Sequence, residues 1–195
     1  MDPADNLNLI QPVNPWSGRS WSMYTEYYQW SPTYNSNSQQ LSVSAGQTLH
    51  GSLVYNADDS YTLSQTVVET GATSSQVVQC QEGKKFTIPY VVYEKTFPCS
   101  TYPPDSSVTF RNIIVECDGS DCTQEVSWQA KVKDANCDMT AHVDSASLPT
   151  DSNEISITWN VNAASKYDNF TSAELLQLNA HGWAAKFAES ADFVV

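Results

Sequence analysis

The sequence predicts an all-β protein, a two-sheet antiparallel sandwich with one amphipathic helix at its C-terminal end. Short segments of alternating apolar and polar residues recur along the chain, separated by clusters of Asn, Asp, Ser, Gly and Pro. That spacing, with few helical patterns, is the pattern of packed antiparallel sheets. Near the end, Thr171-Ser172-Ala173-Glu174 forms a capping box, in which the Thr and Glu side chains satisfy the orphan amides of a helix start.

Leu9-Ile10-Gln11-Pro12-Val13 is an apolar stretch near the start. From Trp21 to Trp30 the residues alternate, with Tyr24, Glu26, Tyr28 and Trp30 sharing one face. Ser31-Pro32 and Asn35-Ser36-Asn37-Ser38 break that strand. Leu41-Ser42-Val43 leads into an Ala45-Gly46-Gln47 turn, and Thr48 to Tyr55 follows as a strand. After Asn56-Ala57-Asp58-Asp59, Ser60 to Glu69 returns with Tyr61, Leu63 and Val67 on one side. Val77-Val78 and Phe86 to Glu94 come next; the latter run is rich in β-branched and aromatic residues. Val108–Val115, Val126–Val132, Met139–Val143 and Ile155–Val161 complete the set. Leu176, Ala180, Trp183, Ala184 and Phe187 then fall on one face of a helix from about Ser172 to Ala188. The expected organisation is one sandwich domain over 1–168, with a helical extension over 169–195 packed on it.

The chain has 195 residues, enough for one domain with a substantial core. Its formal net charge is −13, from 22 Asp and Glu against 9 Lys and Arg. Nucleic acid and anionic membrane would both be repelled and are excluded as partners. No apolar run is long enough to span a bilayer. The first residues carry neither a basic start nor an apolar stretch, so no signal peptide is expected. A secreted protein would then be a mature or trimmed form. Five cysteines imply an oxidising compartment if paired: Cys117 with Cys122 around a short turn, Cys80 with Cys99, and Cys137 left over. Asn169-Phe170-Thr171 is a glycosylation sequon. His50, His142 and His181 show no ligand spacing, so no metal or cofactor is expected.

Glu94 is the most informative single residue. On a strand it shares its face with Phe86, Ile88, Tyr90 and Val92, where an ionised carboxylate loses hydration unless paired. The ordinary alternative is a strand-end Glu reaching solvent. Glu26 is a second carboxylate, set among aromatics. The row Tyr24, Tyr28 and Trp30 is either sheet core or a face that stacks on an extended peptide or a sugar chain. Glu26 facing Glu94 would allow a paired-carboxylate glycosidase, although nothing nearby resembles a glycosidase motif.

Several segments stand in a recognisable order: Leu9-Ile10-Gln11-Pro12-Val13, then Tyr27-Tyr28-Gln29-Trp30, then Ser42-Val43-Ser44-Ala45-Gly46-Gln47. The Glu94 strand follows, and Ser107-Val108-Thr109-Phe110 comes last. Over roughly Leu9 to Asn112 this set resembles the glutamic peptidase (eqolisin) family. The resemblance implies a concanavalin A-like two-sheet sandwich, a monomer that hydrolyses polypeptide at acidic pH without a metal. It implies Glu94 as general base and Gln11 as its amide partner and oxyanion donor. Substrate would lie along Tyr24, Glu26, Tyr28 and Trp30, with Trp16 or Trp21 supplying the family's site tryptophan. The alternative is a non-catalytic secreted sandwich that binds carbohydrate or peptide through the same aromatic face.

Overall fold

The computed structural model describes residues 1, 8–94, 98–133, 135–144, 154–171 and 173–174. All its extended sheets are antiparallel. The chain forms two compact units, Met1–Pro89 and Tyr90–Val195.

In the first unit, β1 (Leu9–Val13), β2 (Trp21–Gln29) and β3 (Tyr34–Asn37) form a sheet in that order. β4 (Leu41–Val43) pairs with the start of β2. A second sheet joins β5 (Leu49–Tyr55), β6 (Ser60–Val67) and β7 (Thr73–Gln79). The two sheets pack face to face through a core of Ile10, Tyr27, Tyr61, Leu63, Val78, Cys80 and Phe86. The period-2 pattern produces this directly. In β6, Tyr61, Leu63, Gln65 and Val67 are buried while the residues between them are half-exposed. In β2, Met23, Thr25 and Tyr27 point into the core, and Tyr24, Glu26 and Tyr28 point to the outer side.

Pro12 sits in β1, an edge strand, where a missing amide donor is tolerated. Its ring faces inward onto Gly51 of β5, where a Cβ would stand 3.0 Å from Pro12 Cγ. Gly51 thus leaves room for the Pro12 ring beside the residue Gln11.

The second unit holds a sheet of β8 (Ser107–Phe110), β12 (Glu154–Thr158) and β11 (Thr140–Asp144), with β12 central. A small hairpin of β9 (Glu116–Cys117) and β10 (Ser120–Asp121) is closed by the Cys117–Cys122 disulfide. A second core surrounds the Cys99–Cys137 disulfide with Tyr102 and Trp159. The Trp159 indole donates to the Pro103 carbonyl at 2.8 Å, so its polar edge is satisfied inside that core.

Several sequence expectations are corrected. Cys99 pairs with Cys137, not Cys80. The free cysteine is Cys80, whose thiol is pushed up to about 12, chiefly by burial and then by Asp59, which makes it an unreactive core residue. Phe86 to Glu94 does not form a strand. Pro89 removes a ladder donor there, and the Phe86 amide donates to the Tyr61 hydroxyl instead of to a neighbouring strand. Val126–Val132 forms no strand either, and Val108–Val115 shortens to β8 before Asn112, which takes a positive φ of 55°. In the other direction, Tyr34–Asn37, expected as a break, is paired strand β3. Thr171 and Glu174 make the reciprocal capping-box bonds: the Thr171 amide donates at 2.7 Å and the Glu174 amide at 3.3 Å. The rest of the expected helix lies outside the described residues.

Two outcomes follow. Gly51→Ala brings a methyl group to 3.0 Å from Pro12 Cγ and should lower stability by about 1 kcal/mol, measured by urea unfolding; a raised midpoint contradicts the close approach. The Glu69 carboxyl is held below its ordinary value by its own backbone amide and that of Thr48, and Asp121 and Glu174 are lowered first by the hydroxyls and then by the backbone amides of Thr123 and Thr171. A depressed carboxylate stabilises the fold above its unfolded value, and this is lost as pH falls through the folded value. The unfolding midpoint should therefore hold at neutral pH and fall once pH drops below the ordinary carboxylate range of about 4, more shallowly in Glu69→Gln.

Candidate functional site

The outer face of the first sheet carries the candidate site. Antiparallel pairing sets Gln11 directly opposite Glu26, and Glu26 opposite Asn37 on its other side. Opposed residues in such a pair project to the same side. Gln11, Glu26 and Asn37 thus form a row across three strands, with Val13 and Tyr24 on one flank and Leu9, Tyr28 and Asn35 on the other.

Within this row two amides meet one carboxylate. Gln11 Nε2 donates to Glu26 Oε2 at 2.7 Å. Asn35 Nδ2 donates to Glu26 Oε1 at 2.7 Å. Each carboxylate oxygen therefore takes a short N–H bond, in the range expected when the acceptor is charged. The arrangement also fixes the Gln11 amide. Its oxygen cannot face a carboxylate, so the NH₂ must, leaving the second N–H and the carbonyl oxygen directed elsewhere. Tyr24, beside this carboxylate, has its phenol raised by burial and then by the charge of Glu26. The Tyr28 and Trp30 rings lie 6.1 Å apart, and Trp30 is 37% exposed at the end of the row.

The sequence-predicted residues divide into groups. Gln11, Tyr24, Glu26 and Tyr28 share the outer face, with Trp30 continuing the row from the β2–β3 turn. Trp16 and Trp21 form a bridge and pack on each other at 5.2 Å. Trp21 has the strand parity of Met23, so this pair does not join the row. Glu94 belongs to the second unit and is exposed, on an irregular stretch. Its neighbour Tyr93 anchors that stretch by stacking on Trp159, with centroids 4.6 Å apart and planes 19° from parallel. Because this stretch is irregular, Phe86, Ile88, Tyr90, Val92 and Glu94 do not share the strand face on which Glu94 was expected.

Asn35 was missed by sequence reasoning. It stands in an Asn/Ser-rich segment that reads as a break, because such residues favour turns. The signal that could have found it is the alternation of Asn35, Ser36 and Asn37 immediately after a Pro-containing turn.

No family model matches the chain, and no curated protein matches it. Among solved structures, the chain is similar to the crystal structure of aspergilloglutamic peptidase from Aspergillus niger, at 14% sequence identity and a TM-score of 0.49. The alignment covers 77% of this chain and 86% of that one. The fold and the site described above rest on this chain's own register, burial and hydrogen bonds.

The face assignment has a simple test in two adjacent tyrosines. Tyr27 is 1% exposed in the core and Tyr28 is half-buried on the outer face. Tyr27→Ala should cost about 3–5 kcal/mol, and Tyr28→Ala about 1 kcal/mol or less, by chemical denaturation. Equal losses would contradict the assignment.

Proposed function

We propose that the chain is an acid endopeptidase that hydrolyses extended polypeptide, with Gln11 as the amide that stabilises the developing oxyanion. The single observation that supports this reading is the 2.7 Å hydrogen bond from Gln11 to Glu26 on an aromatic-flanked sheet face. An oxyanion donor must be oriented before the reaction, so that no reorganisation is needed as charge develops. Glu26 supplies that orientation. One Gln11 N–H is spent on the carboxylate, and the other donates to the tetrahedral intermediate. The sequence resemblance alone implies the general base, Glu94, which would take the proton of the attacking water and pass it to the leaving amine. A carboxylate base without histidine works on the acid side of neutrality. Tyr24, Tyr28 and Trp30 would hold the substrate backbone by apolar contact and stacking.

A second reading is favoured by the exposed Trp30 next to Tyr28: a non-catalytic module that binds carbohydrate or peptide on the same face. On either reading the protein is extracellular and glycosylated at Asn169. The two disulfides support an oxidising compartment.

Incubation of the purified chain with an unfolded protein, across acid to neutral pH and read by mass spectrometry, separates the two. The peptidase reading expects cleavage with a maximum below about pH 5, abolished in Glu94→Gln and reduced about 100-fold or more in Gln11→Leu, with both variants folded. Full activity in Glu94→Gln removes the proposed base. No cleavage at any pH, with glycan or peptide affinity lost in Trp30→Ala, establishes the second reading instead.

A further inference from the structure

We propose that Asn35 is a positioning residue of this site, acting on Gln11 through Glu26. The inference rests on the reading of Gln11 as the oxyanion donor. It follows from three features of the outer face.

First, Asn35 and Gln11 hold different oxygens of one carboxylate, each at 2.7 Å. The terminal torsion of a Glu side chain is broad and roughly two-fold. A single donor leaves the carboxylate free to rotate, whereas donors on both oxygens from opposite sides fix its plane. Once that plane is fixed, so is the direction from which the Gln11 N–H must approach. Second, the two donors come from different strands, β1 and β3, on either side of β2. The Gln11 amide is thereby referenced to the whole sheet and not to its own edge strand. Third, Asn35 itself is exposed. An exposed hydrogen bond contributes little to folding, so this residue is poorly explained as a stability device. Asn37, directly opposite Glu26, is the alternative donor by register, yet the bond runs diagonally from Asn35.

The test compares Asn35→Ala, Asn35→Asp and Asn35→Gln. Aspartate keeps the shape and replaces the donor by an acceptor that repels Glu26. Glutamine keeps the donor on a longer stem. The proposal expects kcat on an unfolded-protein or peptide substrate to fall roughly 10- to 100-fold in the Ala and Asp variants. KM should stay unchanged in both, melting temperature should stay unchanged in Asn35→Ala, and Asn35→Gln should recover part of kcat. A second readout does not need activity. The side-chain NH₂ signals of Gln11 in an NMR spectrum should move towards the position of a freely rotating amide in Asn35→Ala and Asn35→Asp. Wild-type kcat in Asn35→Asp, or unmoved Gln11 amide signals in that variant, overturns the proposal. A wild-type chain that cleaves nothing removes the peptidase reading, and the amide signals then decide the role of Asn35 alone.

Discussion

The pairing of β1 with β2 is the constraint on which both the core and the candidate site depend. Its register runs from Leu9 opposite Tyr28 to Val13 opposite Tyr24. A slip of one residue would send every side chain of β1 to the other face. Ile10 would leave the core, where it is fully buried against Tyr27 and Leu63, and Gln11 would enter it. Both terms favour the observed register, because exposing Ile10 loses about 1.5–3 kcal/mol and burying an unpaired amide costs about 1–3 kcal/mol. Gln11 therefore meets Glu26 as a consequence of where Ile10 must go. The contact of Pro12 with Gly51 sharpens the same choice.

The third strand is held differently. β3 is short and polar, and it offers the core little apolar surface. Its inner side is bound by side-chain hydrogen bonds from β7. Gln76 Nε2 donates to the carbonyls of Thr25 and Ser36, and the Ser38 and Ser74 hydroxyls pair at 2.7 Å. Ser74 also donates to the Gln39 carbonyl. These side-chain bonds add to the ladder bonds of β2 and β3 and tie this edge of the first sheet to β7. The amide Asn35 is presented on the opposite, outer side. An uncharged polar composition, which gives little core, here holds an edge strand in place through specific bonds.

The legible part of the sequence was the part carried by period-2 apolar patterning. Trp21 to Trp30 and Ser60 to Glu69 formed strands close to their expected bounds, and the placement of Tyr24, Glu26 and Tyr28 on one face follows from alternation alone. The Gln11–Glu26 contact was not legible, since it requires knowing which strands pair and in what register. Phe86 to Glu94 shows the limit of propensity. Its residues favour a strand, but Pro89 denies it a ladder bond and the described chain there is irregular. β3 shows the converse: turn-forming residues became a strand because side chains of β7 supplied partners. The cysteines behaved likewise. Cys117 and Cys122 are close in sequence and pair as expected, whereas Cys99 finds Cys137 through a core that no spacing announces.

The central claim is that Gln11 and Glu26 act as one hydrogen-bonded unit on the outer sheet face. A double-mutant cycle with Gln11→Ala and Glu26→Ala, read by urea unfolding at neutral pH, measures it most directly. The account predicts a coupling of about 0.5–1.5 kcal/mol between the two positions. Strictly additive losses would show that the two side chains do not interact and would contradict the site as described.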